Sequence, residues 1–365
     1  MKRNTFLFLA VLKSPLQLPI YFNIIMPIIG LWQFLQMRTI PKIYLVLFAM
    51  LFINLIPTLY FNNSASYIRL TQLFFILFFS IYMIKHLDLN DYSRIFKTII
   101  FLSPIFFLLE FITIGDAGTR DFFGISLTRL TGITGEFNFT AGLLSGICLF
   151  FMIGKRYPLA IFAALQIFAT AGRGAFLPLV IFTGLVIVKR LFNRGLALTI
   201  SFFLLMLMFL YPLFLLKIHH LLDFDTAVKI NFYSSLRYQL HLGYAQIGLE
   251  YPLGVGYFNG VKTLPEYTDL FGWRPQENIL EQHNLFLQVF SEFGWIGYGL
   301  FIIFLLSIVR YAYFISDRIL FGFVSFLSMF LFLNGLHEFI FWAYISFIVY
   351  LYNEGRKNEN HLDNT

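Results

Sequence analysis

The sequence predicts an all-α polytopic membrane protein of about 12 transmembrane helices, 11 if the first apolar run does not span. Three observations lead there. The 365 residues are 59% hydrophobic and 12% charged, with a mean hydropathy of +0.76, which no soluble surface can accommodate. The apolar residues fall in successive blocks of roughly 15 to 25, the length that crosses a hydrocarbon core. The blocks do not alternate polar and apolar, which excludes a transmembrane β-barrel.

Taken in order, the chain opens with Thr5–Leu12 behind Lys2 and Arg3, a pattern like the start of a signal peptide. Lys13 interrupts it and no small-x-small cleavage site follows, so the segment is expected to be retained. The spans are then expected at 5–18, 20–37, 43–61, 69–85, 96–113, 139–154, 157–171, 174–191, 196–216, 285–309, 319–335 and 337–352. Lys and Arg are retained on the cytoplasmic side of short loops. With both termini inside, 16 of the 26 basic residues are internal and 10 external, five of those external ones in one long loop that the rule does not count. Short loops therefore divide 16 to 5. A single transmembrane domain over 1–352 follows, with external segments at 115–138 and 217–283 and a polar cytoplasmic tail, 353–365, expected to be disordered.

A net charge of +7 would point to nucleic acid in a soluble chain, but no dense basic patch exists to bind it. Cys148 is the single cysteine and sits in an apolar run, so there is no disulfide framework and no thiolate metal site. His219 and His220 are adjacent rather than at ligand spacing, and no His/Asp/Glu cluster has metal spacing. No metal or cofactor is expected.

Three external features carry chemistry. The first is the apex Gly172-Arg173-Gly174 between two spans. Arg173 there is either a snorkelling interfacial residue or an anion clamp whose forked donors match phosphate oxygens. The second is the stretch Asn231–Glu250, with helical periodicity. Arg237, His241, Tyr244 and Gly248 share one face, beside the apolar Tyr233, Leu236, Leu240 and Ile247. This reads first as an amphipathic interfacial helix. The third is His283-Asn284, where the long loop re-enters the membrane. Asn284 suits a helix cap, and His283 titrates near neutrality and suits a base. Gly294, Gly297 and Gly299 further along the span read as close helix packing. Arg129 and Glu136 precede the sixth span and could line an external cavity, and Glu292 is an intramembrane carboxylate in need of a partner.

Together these motifs resemble the O-antigen ligase and Wzy-type polymerase superfamily of bacterial envelope glycosyltransferases. His283-Asn284, nine residues, then Gly294-Trp295-Ile296-Gly297 fits that family's H-N-x9-G-x-x-G pattern. Gly172-Arg173-Gly174-Ala175 is similar to its arginine apex, and Arg237 through Pro252-Leu253-Gly254-Val255-Gly256 to its external helix and Pro-x-Gly-x-Gly turn. The resemblance covers residues 125 to 300. It implies a multi-pass enzyme of the bacterial inner membrane with a periplasmic active site. The enzyme would join a glycan from undecaprenyl diphosphate to a glycan acceptor without a metal, a cofactor or a nucleic-acid partner.

In those roles Arg173 and Arg237 would hold the diphosphate leaving group, whose charge grows in the transition state. His283 would deprotonate the acceptor hydroxyl, with inversion at the anomeric carbon, and Asn284 would orient the imidazole or the sugar. The acceptor is a lipid-linked repeat unit for a polymerase and lipid A-core for a ligase. The compact, Phe-, Ile- and Leu-rich chain favours a polymerase. Gly135-Glu136-Phe137-Asn138 also resembles the Glu-Pro element of polymerases, although the proline is missing here. A lipid-linked oligosaccharide flippase is the reading from another class. It would need polar groups at the bilayer midplane, where this chain has Phe, Leu and Ile.

Overall fold

Helical runs occupy eleven of the twelve apolar blocks, and the remaining block, 5–18, lies outside the described residues. The computed structural model describes residues 25–362 apart from 38, 114–118, 123–124, 129, 132–133, 135, 171, 235–236, 268–282 and 334. For 119–122, 125–128, Phe137, Arg173, Tyr233, Glu266 and 357–362 it describes the backbone alone.

The helices are α1 (Ile25–Gln36), α2 (Lys42–Phe61), α3 (Ser64–His86), α4 (Leu89–Thr113), α5 (Phe137–Ile153), α6 (Tyr157–Thr170), α7 (Leu177–Leu191), α8 (Arg194–His219), α9 (Phe224–Tyr233), α10 (Arg237–Glu250), α11 (Leu285–Ile315), α12 (Asp317–Met329) and α13 (Phe339–Leu362). A β-hairpin, Thr119–Phe122 with Ile125–Thr128, interrupts the helical pattern in the segment before α5. Among the described residues, six helical segments are long and apolar enough to cross a membrane by themselves.

Side-chain caps explain where many helices begin. Asn63, Glu136, Asn193, Asp223, Asn284 and Ser316 each accept a hydrogen bond from a backbone N–H of the first turn of α3, α5, α8, α9, α11 and α12 respectively. Each satisfies one of the donors that a helix start leaves without a partner. At the other end of the chain, α13 runs on to Leu362. The polar residues 353–362, expected to be disordered, thus extend the last helix by more than two turns.

Lipid is as apolar as leucine, so apolar burial does not by itself bring spans together; close packing and polar contacts do. Here α1 packs on α3, α2 and α13 on α11, and α7 on α12. Tyr44 Oη and Ser80 Oγ lie 2.5 Å apart, and Ser80 Oγ and Ser346 Oγ 2.8 Å, so α2, α3 and α13 share one buried hydroxyl cluster. Gln166 also bridges helices, its amide Nε2 donating to the Ile100 carbonyl at 2.8 Å.

Charged contacts gather between short connections of the bundle. At one end, Lys189 and Arg194 meet Asp317 at 2.7 and 2.8 Å. Arg156 donates to Ser93 Oγ, and Arg318 to the Met152 carbonyl. These contacts tie the short connections at that end together. The opposite end holds the three features that the sequence singles out.

Candidate functional site

The segment leading into α5 is stitched to the bundle. Glu110, fully buried near the end of α4, accepts hydrogen bonds from Thr131 N (2.8 Å) and Thr131 Oγ1 (2.7 Å). Leu130 N donates to the Ala169 carbonyl at the end of α6. Glu136 Oε2 caps α5 through Phe139 N at 2.8 Å. Next to it, the apex forms a 3-10 turn over Arg173–Phe176, pinned to α5 by Ser145 Oγ donating to the Ala175 carbonyl at 2.7 Å.

Arg237 begins α10. Its position follows from a tight α9–α10 corner, where Ser234 Oγ accepts from Tyr238 N at 3.0 Å and Asn231 Oδ1 accepts from Gln239 N at 3.0 Å. The guanidinium is half-buried. Burial lowers its pKa from the ordinary arginine value, and the Glu136 carboxylate opposes that shift. Guanidinium keeps its charge regardless, so the partly desolvated cation favours an anionic neighbour.

Arg237 lines a cavity of about 320 Å³ together with Gly172 and Gly174 of the apex, Asn138 and Ala141 of α5, and Met329, Phe332 and Leu333 at the end of α12. Both α6, with 14 residues, and α12, with 13, are short of the roughly 20 residues that cross a bilayer core. Both end beside this cavity, α6 just before Gly172 and α12 at Met329. It is therefore a hollow with apolar walls and a cation at its polar rim. Arg173 stands between its two lining glycines, with only its backbone described.

His283 and Asn284 are joined to the same hollow through α12. Asn284 is completely buried and uses both ends of its amide. Oδ1 accepts from Leu287 N at 3.0 Å, and Nδ2 donates to the Leu331 carbonyl at 3.1 Å. Leu285 N donates to the Phe330 carbonyl at 2.9 Å. The chain from 329 to 333 thus forms a cavity wall on one side and the seat of the α11 start on the other. His283 has φ 43°, in the left-handed region that His visits more readily than most residues.

Gly297, buried against Met50 of α2, meets the close-packing expectation, whereas Gly294 and Gly299 differ from it. Gly294 has φ 67° and ψ 178° and breaks the helix. The turn after α10 fills the break. Val255 N donates to the Ser291 carbonyl (3.2 Å), Gly256 N to the Glu292 carbonyl (3.0 Å), and Ile296 N to the Pro252 carbonyl (3.3 Å). A Cβ on Gly254 would collide with the Glu292 carbonyl, and one on Gly294 with the Pro252 carbonyl. Gly299 has open space beside it, so it serves no packing role. The Pro-x-Gly-x-Gly turn and the first glycine of G-x-x-G are therefore two halves of one joint.

Asn54, in the apolar run of α2, completes that joint and was not visible as a site residue. Its Nδ2 donates to the Glu292 carbonyl at 2.7 Å, and its Oδ1 accepts from Tyr257 N at 2.9 Å. A single asparagine in a long hydrophobic block was the available signal. Asn259 extends the lock, bonding Asn63 and the Val255 carbonyl. Glu292 is fully buried, with its carboxylate in electrostatic reach of the Tyr257 hydroxyl. Burial, followed by Glu292, raises the Tyr257 pKa well above its ordinary value.

His241 is buried away from water, with Nδ1 2.8 Å from Tyr211 Oη of α8. The helix that carries it differs from the interfacial expectation. Tyr238–Ala245, Ile247 and Gly248 are all buried, because α8 covers one side of α10 and α11 the other. Arg129 lies outside the described residues.

The fold and the collected polar end define a polytopic, all-α integral membrane protein with a cation-rimmed hollow at one end of its bundle. Residues 158–302 match the family model described as O-antigen ligase, which places this segment in the O-antigen ligase and Wzy-type superfamily. The match takes in the apex, α10, the glycine joint and His283. No curated protein and no solved structure matches the chain.

Proposed function

We propose that the protein is a glycosyltransferase of the bacterial inner membrane that transfers glycan from an undecaprenyl-diphosphate-linked donor to a glycan acceptor at the periplasmic face. The observation that carries this reading is the hollow itself. A lipid-linked diphosphate needs a cation beside apolar walls, and Arg237 over Met329, Phe332, Leu333 and Ala141 offers that pairing. Arg173, between cavity-lining glycines, is the second diphosphate ligand in this proposal.

The step is an inverting substitution. The acceptor hydroxyl oxygen bonds to the anomeric carbon while the bond from that carbon to the diphosphate oxygen breaks. His283 takes the hydroxyl proton, and the two arginines receive the growing charge on the leaving group. Asn284 holds the backbone around His283 in place, since both ends of its amide are engaged. Glu136 steadies Arg237 electrostatically. Arg129, His241 and Glu292 are proposed as residues that line the cavity receiving the substrates.

The acceptor is proposed to be a lipid-linked repeat unit, making the enzyme a polymerase. The description of the matching family as O-antigen ligase favours the second reading, transfer of finished polymer to lipid A-core. Two measurements test these readings. His283→Ala should abolish transfer while expression and membrane insertion persist, and wild-type transfer in that variant would remove the base. In cells lacking the protein, single lipid-linked repeats would indicate a polymerase. Full-length polymer retained on undecaprenyl diphosphate would indicate a ligase, and normal surface glycan would refute both.

A further inference from the structure

The chain from Met329 to Glu338, which joins α12 to α13, touches two polar neighbourhoods. Its first part, with Met329, Phe332 and Leu333, walls the hollow of Arg237. Its middle seats the start of α11. The Phe330 and Leu331 carbonyls accept from Leu285 N and Asn284 Nδ2, and a Cβ on Gly335 would meet Leu285 Cδ2 at 3.1 Å. Its last part carries His337 and Glu338, where a second cluster gathers around the Tyr257 hydroxyl. The His337 ring stacks on the Tyr257 ring with centroids 5.3 Å apart. The Gln288 side chain lies beside the hydroxyl, with Glu292, Arg69 and Glu338 in electrostatic reach of it. Arg69 in turn covers the Phe258 ring at 5.1 Å.

Two features mark this cluster as more than packing. Tyr257 Oη and Gln288 Oε1 are buried, yet neither has a partner in hydrogen-bond geometry among the described residues. Buried polar groups are otherwise almost always paired. Phe258 has φ 67°, a strained conformation for a bulky residue and one that gathers at ligand sites. It persists because its neighbours are pinned. Tyr257 N donates to Asn54 Oδ1 at 2.9 Å, Ser66 Oγ to the Tyr257 carbonyl, and Asn259 Nδ2 to the Val255 carbonyl at 2.9 Å. Arg69, Phe258, His337 and Glu338 are half-exposed, so the cluster reaches the surface.

We propose that Tyr257, Gln288, Arg69, Phe258, His337 and Glu338 form a binding subsite for a neutral sugar residue of the acceptor glycan. That the sugar is an acceptor rests on the glycosyl transfer proposed above. Hydroxyl, amide, guanidinium and carboxylate together offer the mixed donors and acceptors that sugar hydroxyls need. The flat rings suit the C–H face of a sugar. An anionic group is a poor occupant, because Glu292 and Glu338 both lie within reach of the same hydroxyl. The hollow has the opposite character, a cation beside apolar walls. An inverting substitution brings acceptor and leaving group to opposite sides of the anomeric carbon. The chain from Met329 to Glu338 passes from the hollow to the cluster across the start of α11, where His283 is.

The test separates two ligands on the full chain in lipid nanodiscs. The probes are neutral oligosaccharides released by mild acid from the surface glycan of the cells that make the protein, and inorganic pyrophosphate for the hollow. Tyr257→Phe keeps the ring and removes a hydroxyl without a partner among the described residues, so its melting temperature should match that of the wild type. It should nonetheless weaken oligosaccharide binding at least about fivefold, the value of one net hydrogen bond, and leave pyrophosphate binding unchanged. Glu338→Gln should do the same, and Arg237→Lys the reverse. Wild-type oligosaccharide affinity in either Tyr257→Phe or Glu338→Gln, or no oligosaccharide binding by the wild type, would overturn the subsite. An equal loss of both probes would overturn it too, since the cluster would then only hold the fold. Transfer is not part of the readout: a chain that binds both probes as expected and transfers nothing keeps the subsite and refutes the reaction.

Discussion

Gly254 and Gly294 face each other across a break in α11, each in a left-handed backbone conformation and each occupying space in which a Cβ would strike the other's neighbouring carbonyl. Alanine at either position should therefore destabilise the fold. The unfavourable backbone alone costs about 1–3 kcal/mol, and the collision is with backbone that cannot turn aside. Thermal unfolding in detergent should show a clear loss for both single variants. Wild-type stability in either would mean that the joint does not hold α10 to α11.

Asn54 tests the same joint from α2. Asn54→Leu would leave the Glu292 carbonyl and the Tyr257 N–H without the partners they have now. Buried groups deprived of a partner cost about 1–3 kcal/mol each. Asn54→Asp keeps the acceptor for Tyr257 and loses the donor to Glu292, so its melting temperature should fall between the wild type and Asn54→Leu.

Asn284 makes a more specific prediction because its two bonds can be separated. Asn284→Asp retains the cap to Leu287 but cannot donate to the Leu331 carbonyl. Asn284→Ala loses both bonds and should be less stable, with the cap worth about 0.5–2 kcal/mol. If Asn284 acts by positioning His283, glycan transfer should fall in step with stability across the pair. Loss of transfer in an equally stable Asn284→Asp would instead point to contact with the substrate.

For the proposed diphosphate ligands, Arg237→Lys and Arg173→Lys keep the charge and lose the fork. Each should reduce transfer at least about tenfold, the value of one good charge-assisted hydrogen bond. Membrane insertion should be unchanged. Normal donor binding in both variants would return the arginines to lipid snorkelling.

The helices were legible because a bilayer demands long apolar runs whatever the fold, and α2, α3 and α8 follow that demand almost residue for residue. The joint was not. Gly294 looks like a packing glycine in a one-dimensional pattern, since its φ depends on a turn forty residues earlier in the chain. Asn54 was hidden for the same reason: a single polar residue in an apolar block declares a need for a partner without naming one. The periodicity of α10 suggested an interfacial helix because, in a chain this apolar, a face toward protein and a face toward lipid read alike. Of the candidate site, the positions of Arg237, His283 and Asn284 near one hollow could be anticipated from their shared external assignment. The walls from α12 could not, because they come from the early end of a helix expected to run to residue 335.

The glycine joint also makes the long connection modular. Gly256 is bonded to the Glu292 carbonyl, Tyr257, Asn259 and Leu264 stay packed in the bundle, and the chain is back at His283, nine positions before Glu292. The connection is thus a loop closed by its own clasp, and closing a longer loop costs little extra. A change of length between Tyr267 and His283 should therefore leave the glycine joint intact, whereas replacement of the packed Tyr257 ring or Asn259 should not.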